Sequence, residues 1–208
     1  MSTPLLTPET LADPRVHVGW PERGAFPDGS VVTMGVFDGF HRGHEALAAR
    51  TVGHAARLKV PAVLVTFSPH PLKVLAPGAV PRQLMGLDDR VRHALSLGVD
   101  AVVVLPFTAA LAMQGAADFV AEGLVDALGA RLVVVGANFR CGRGGEGDAD
   151  YLSGLGRQHG FTVESLDLVQ AAGGCCSSTE VRRRLAHGDL AGARELLGRD
   201  DDRVLVVR

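Results

Sequence analysis

Four short apolar runs recur along the chain with no polar alternation: Val31 to Val36, Pro61 to Phe67, Asp100 to Leu105 and Arg131 to Gly136. A strand with one face in water alternates apolar and polar residues, whereas runs this continuous have both faces buried. Good helix formers lie between them. Gly43 to about Leu58, Leu87 to Leu97, about Ala116 to Leu128, and the stretch from an Asp148 cap through His159 all read as helices. Strands alternating with helices demand a parallel sheet covered on both faces, the α/β doubly wound arrangement. Phe161 to Leu166 reads as a fifth strand, and Ser178 to Ala186 and Leu190 to Leu197 as two terminal helices. Val204 to Val207 reads as a last extended piece. Residues 1–27 carry five prolines and the sole tryptophan, Trp20, so they are expected to be a mostly irregular lead-in with an edge strand near Val16 to Val18. No repeat or long linker divides the chain, so residues 1–208 are expected to form a single domain.

Composition narrows the function classes. With 47% hydrophobic residues and a mean hydropathy of +0.19 the chain can build a sizeable core. A formal net charge of −2 gives no sign of a nucleic-acid-binding face. No apolar run approaches the ~18 residues of a membrane span, and no signal pattern opens the chain, so a soluble, cytoplasmic protein is expected. Cys141, Cys175 and Cys176 suit neither zinc spacing nor a disulfide framework, and no protein metal-ligand set is expected.

The chemistry is concentrated where the strands end. After the first run comes Gly35-Val36-Phe37-Asp38-Gly39-Phe40-His41-Arg42-Gly43-His44, a strand, a glycine turn and a helix start. Such a junction offers unpaired backbone N–H groups and a positive dipole end to a phosphate. His41 and His44, separated by three positions across Gly43, can both face the space before that helix. The other unusual clusters stand at the same edge: Ser68-Pro69-His70-Pro71, Phe107-Thr108, Asn138-Phe139-Arg140 and Ser177-Ser178-Thr179. In open α/β sheets ligands bind there, beyond the carboxyl ends of the strands. Ser177 and Glu180 also form a capping-box pattern, which orients the helix whose N-terminus, with Arg182 one turn in, could hold an anion. The stretch Gly142 to Gly147 reads equally as a surface turn or a lid. His54, His93, His159 and His187 are expected to face solvent, and Cys175 and Cys176 to pack.

The His41–His44 pattern resembles the signature of the HxGH nucleotidyltransferase superfamily, which implies a Rossmann-like sheet. Thr66-Phe67-Ser68-Pro69-His70-Pro71, Leu97-Gly98-Val99-Asp100, Leu105-Pro106-Phe107, Val135-Gly136-Ala137-Asn138-Phe139-Arg140 and Ser177-Ser178-Thr179-Glu180-Val181-Arg182 narrow the likeness. Together with Gly188-Asp189-Leu190 and Leu197-Gly198-Arg199, they resemble the FMN adenylyltransferase (FAD synthetase) module of prokaryotic bifunctional riboflavin kinase/FAD synthetases over roughly residues 28–199. The resemblance implies transfer of AMP from MgATP to FMN, giving FAD and pyrophosphate. His41 and His44 would donate to the phosphates, their protonation favoured by phosphate charge. Ser178, Thr179 and Arg182 would hold the β- and γ-phosphates, and Asn138 and Arg140 would orient phosphates. Gly35, Val36, Phe37, Asp38, Gly43, Gly136 and Ser177 would line the nucleotide site, with Pro69, His70 and Phe107 on the flavin side. Mg²⁺ would be held by phosphate oxygens and water. Two departures keep other readings open: Cys141 stands where the family has a second aromatic, and the riboflavin kinase module is missing from the sequence. They leave room for another phosphorylated acceptor (a modified flavin, phosphopantetheine or nicotinamide mononucleotide) or for a non-catalytic flavin- or nucleotide-binding protein.

Overall fold

The β-branched runs pair side by side, all in one direction. The computed structural model describes residues 6–171 and 173–205. In chain order the elements open with α1 (Pro8–Ala12), β1 (Val16–Val18) and β2 (Ser30–Met34). After them come α2 (Arg42–Leu58), β3 (Ala62–Ser68), α3 (Leu72–Leu75), α4 (Leu87–Ser96) and β4 (Ala101–Pro106). Then follow α5 (Ala109–Met113), α6 (Ala116–Phe119), β5 (Ala130–Gly136), α7 (Ala149–His159) and β6 (Thr162–Leu166). The chain closes through a small hairpin of β7 (Gln170–Ala171) and β8 (Gly174–Cys175), then α8 (Ser178–Ala186), α9 (Leu190–Leu197) and α10 (Asp202–Leu205).

The six-stranded sheet runs β1-β4-β3-β2-β5-β6 with every pairing parallel. From β2 the chain steps through β3 to β4, then returns to place β5 on the other flank of β2. The order therefore reverses between β2 and β5, and a crevice opens beyond their carboxyl ends, the position where such sheets take ligands. Burial follows the two-residue period of a strand. Val32, Met34, Val63, Val65, Val133 and Val135 face one layer with Phe119, Leu124 and Leu152. Leu64, Val102 and Val104 face the other, packed with Val91, Val181 and Leu196. Each such fully buried side chain contributes about 1.5–3 kcal/mol.

Several expectations are corrected. The lead-in is not mostly irregular, because α1 forms there, capped by the Thr7 side chain accepting from the Thr10 N–H. Val204 to Val207 is not extended over its described part. Asp201 accepts through its carbonyl from the Val204 and Leu205 N–H groups, both at 2.9 Å, and starts α10; Val206 and Val207 lie outside the described residues. The helix from Ala116 to Leu128 widens after Phe119 into a π-helical stretch, Val120–Ala127. There the indole of Trp20 lies against Gly123, where a Cβ would come within 2.2 Å of the ring. His54 and His93 do not face solvent. His54 is buried near the C-terminal end of α2 and pairs with Glu164 at 2.5 Å, while His93 is half-buried against Glu45 and Phe40. His159 and His187 are exposed. The turn after Gly142 is pinned rather than loose: Cys141 and Gly147 exchange backbone hydrogen bonds and Glu146 accepts from the Ala116 N–H.

Candidate active site

β2 ends at Met34, and the next six residues form a tight turn that no ordinary loop sequence could adopt. Gly39 has φ +82°, and a Cβ there would lie 2.9 Å from Leu84. Phe37 and Phe40 also take left-handed backbone angles, φ +52° and +42°, which are costly for bulky residues. Burial of both rings offsets that cost: they are 0% exposed and stacked 5.3 Å apart. The turn delivers His41 to the N-cap of α2, and His44 one turn in. Their imidazoles stack with centroids 3.7 Å apart and 24° between planes. Gly43 permits this, since a Cβ would sit 3.1 Å from the His41 Nδ1.

Both Nδ1 atoms are buried without a hydrogen-bond partner. Orphaned polar atoms of this kind cost stability, and two together mark a place built for something else. Burial pushes His41 down to about 4, with the nearby Arg199 guanidinium helping, and drives His44 well below the usual histidine range, His41 and Arg90 adding to the effect. The expected protonated donors are therefore neutral in this structure, because Asp38 and Glu45 do not offset the burial of the rings and the nearby guanidinium charge.

Asp38 ties this turn to the rest of the site. Its carboxylate accepts from the backbone N–H groups of Leu84 and Met85 and from Arg182. Ser178 Oγ donates to its carbonyl at 2.8 Å. The start of α8 is thereby docked against the His41–His44 turn, and the two segments the sequence reading joined across the chain do meet. In this structure Ser178 and Arg182 point at this turn rather than into the cavity. Arg182 is engaged by Asp38 and by the Arg82 carbonyl at 2.6 Å, so it holds the turn in place. Asp38 is 2% exposed and faces that lattice of donors, not the cavity. Ser177 caps α8, accepting from the Glu180 N–H at 3.1 Å. The Glu180 carboxylate turns instead to Arg183 and Arg184, so only half of the capping box forms. Thr179 is exposed in the first turn of α8.

A cavity of about 550 Å³ opens in front of these groups. Of the expected residues, Gly35, Val36, Phe37, His41, Gly43, His44, Phe107, Gly136, Asn138, Arg140 and Ser177 line it. Pro69, His70, Ser178, Thr179 and Arg182 do not. Pro71 takes the place in the lining expected of Pro69 and His70, and His70 Nδ1 accepts from the Leu72 N–H at the start of α3. Toward β3 and β4 the cavity is apolar. Phe67 and Phe107 meet edge to face there, 5.8 Å apart, joined in the lining by Leu75, Leu111 and Phe119. The last three carried no sequence signal beyond a helix-forming apolar character. Arg140 lies at the rim, paired with Asp148 at 3.5 Å. Cys141 also lines the cavity, its thiol pushed up to about 11 by burial and the nearby Glu146 and Asp148.

Among the described residues no group of three or more His, Cys, Asp or Glu side chains is gathered to hold a metal, and no helix is long and apolar enough to cross a membrane.

This arrangement has known counterparts. The FAD synthetase family model matches residues 24–180. Bifunctional riboflavin kinase/FMN adenylyltransferases of Pseudomonas fluorescens and Escherichia coli K12 are 42% and 36% identical over 171 residues, 82% of this chain and 55% of each relative. The chain thus spans about half the length of the curated relatives it matches. A crystal structure titled macrolide-efflux protein, from Streptococcus pneumoniae, superposes with a TM-score of 0.74 over 89% of this chain and 60% of that one. At 24% identity it speaks to the fold alone. The family match runs through the His41–His44 turn, the crevice between β2 and β5, and the start of α8, and the chain belongs to the FAD synthetase family.

Proposed function

We propose that this chain, acting as one nucleotidyltransferase domain, transfers AMP from MgATP to the phosphate of FMN. The observation that carries the proposal is the pair of stacked imidazoles with orphaned Nδ1 atoms, set at the start of α2 and at the mouth of the crevice. A phosphate oxygen of FMN attacks the α-phosphorus of ATP in line; the bond from that phosphorus to the bridging oxygen breaks, and pyrophosphate leaves with the electron pair. No enzyme nucleophile is required. The protein's share is to position two polyanions and to stabilise the charge growing at the α-phosphate. His41 and His44 donate to the phosphates, taking up a proton as the triphosphate arrives, because adjacent negative charge favours the charged imidazole. The start of α8 holds the β- and γ-phosphates through Ser177, which lines the cavity, and the exposed Thr179 two residues on, while Ser178 and Arg182 keep that turn in register through Asp38. Asn138 and Arg140 at the rim orient phosphates. Mg²⁺ would be held by phosphate oxygens and water and would help neutralise the triphosphate.

The apolar wall of Phe67, Phe107, Leu111 and Phe119 favours a large, uncharged aromatic ring system over the flexible chain of phosphopantetheine or the small cationic ring of nicotinamide mononucleotide. Its site for two small soluble substrates favours a cytoplasmic setting, with no need of nucleic acid. The test is direct: incubate the protein with MgATP and FMN, separate the flavins by chromatography and follow pyrophosphate. FAD formed in step with pyrophosphate supports the reading. Turnover only with another phosphorylated acceptor, or with none, overturns it.

A further inference from the structure

Arg199 follows α9, outside the stretch matched by the family model. Its side chain is 18% exposed, and apart from a long contact to the Leu197 carbonyl at 3.5 Å its donors go to the His41–His44 turn, the first turn of α2 and one anchor. Nη2 donates to the Gly39 carbonyl at 2.8 Å and Nη1 to the Phe40 carbonyl at 2.5 Å. Nη1 also meets Glu45 Oε1 at 3.1 Å, and Nε donates to Asp201 Oδ2 at 3.0 Å. Gly39 and Phe40 immediately precede His41 and both have positive φ. Their successive carbonyls meet the two Nη atoms while Nε keeps Asp201, a spread of partners that a planar guanidinium can serve and a single ammonium nitrogen cannot. Asp201, 5% exposed, is fixed in turn by Arg203 at 2.8 Å and 2.9 Å. Glu45 accepts at 3.2 Å from His93 on α4. A turn strained at Phe37 and Phe40 would relax unless something over-determines it.

We propose that Arg199, anchored by Asp201, is a positioning residue that holds the Gly39 and Phe40 carbonyls and the first turn of α2 so that His41 and His44 stay stacked over the cavity. The inference rests on the adenylyl-transfer reading, since it needs those imidazoles to serve a bound triphosphate. Four charged groups face the pair: Asp38 from the turn, Glu45 from α2, Arg90 from α4, and Arg199 from beyond α9. Removing the Arg199 charge leaves the two carboxylates less opposed.

The experiment follows the His41 and His44 ring resonances by NMR across pH in the intact protein, alongside turnover of MgATP and FMN. In Arg199→Gln the His41 titration is expected to move upward from about 4, and the turnover number to fall on the order of 10–100-fold with KM for ATP within about threefold. Arg199→Lys keeps the charge, so its titration stays near that of the parent, yet turnover remains depressed because one ammonium nitrogen cannot reach both carbonyls, Glu45 and Asp201 at once. Asp201→Asn, which touches neither histidine, is expected to shift the ring resonances and lower turnover by a smaller factor; it carries the test if Arg199→Gln does not fold. Ring resonances and titrations identical to the parent in the folded variants overturn the proposal. A parent protein that makes no FAD refutes the adenylyl-transfer reading instead, and the ring titrations still decide whether Arg199 holds the turn.

Discussion

Asp38 and Arg182, 144 residues apart in the chain, form an ion pair beneath the crevice with the carboxylate 2% exposed. Through it the turn after β2 and the start of α8 become one unit. A carboxylate so deeply buried is stable only while all its donors remain. Asp38→Ala would strand the Arg182 guanidinium and the Leu84 and Met85 N–H groups. Breaking such a pair costs about 3–5 kcal/mol, which urea unfolding of the variant should show as a lowered midpoint. A midpoint unchanged from the parent would mean that Asp38 does not tie the two segments together.

Stability of the ligand-free protein should depend on pH through His41. Its folded value is lowered to about 4, against about 6.5 when unfolded. Between those values the unfolded chain binds the extra proton, so stability is full above about pH 6.5 and falls as pH drops toward 4. The loss from His41 is about 3 kcal/mol, and His44 acts in the same direction. Glu45 and Asp201, whose carboxyls are also held low despite their burial by bonds to His93 and to Arg203 and Arg199, add losses only at more acid pH. Denaturation curves at pH 7.5, 5.5 and 4.5 check this, and His41→Asn should flatten the slope.

Gly43→Ala separates stability from function. In the first turn of α2 the change favours the helix by up to about 1 kcal/mol. The new Cβ would lie 3.1 Å from His41 Nδ1 and 3.2 Å from Cε1, so the ring must give way by a few tenths of an ångström. Turnover is expected to fall on the order of tenfold, while thermal unfolding stays within a few degrees of the parent.

Replacing His41 or His44 singly by Ala should lower the turnover number on the order of 10²–10³-fold, and the double variant should be inactive while its circular dichroism stays native. Calorimetry of ATP binding in buffers of different ionisation enthalpy should show proton uptake near pH 6 in the parent and less of it in each single variant. Full activity in the double variant would remove the imidazoles from the chemistry.

How much of this was legible beforehand differs by element. The inner strands announced themselves because a sheet covered on both faces fills β2 to β5 almost wholly with apolar residues, its few buried polar side chains there being hydroxyls such as Thr33 and Thr66. The helices α8 and α9 fell where capping residues Ser177 and Asp189 put their starts. The short elements did not show. α3 and the β7–β8 hairpin are too brief for a period to emerge, and the π-helical stretch depends on Trp20 arriving from about a hundred residues away to lie against Gly123. In the site, the motif pointed to His41 and His44; Leu197-Gly198-Arg199 stood out only as part of the family likeness, and nothing local marked Arg199, Glu45 and Asp201 as partners of that turn.

The sequence by itself determined the alternation of strand and helix, the edge on which the polar clusters gather, and the residue types able to meet phosphate, because those follow from local period and side-chain chemistry. Only the tertiary structure decided which of those residues face the cavity and which are spent holding the turn. That choice depends on long-range partners: Arg182 could have reached a ligand, but Asp38 lies buried within its reach, and a buried carboxylate takes the nearest guanidinium before any ligand can.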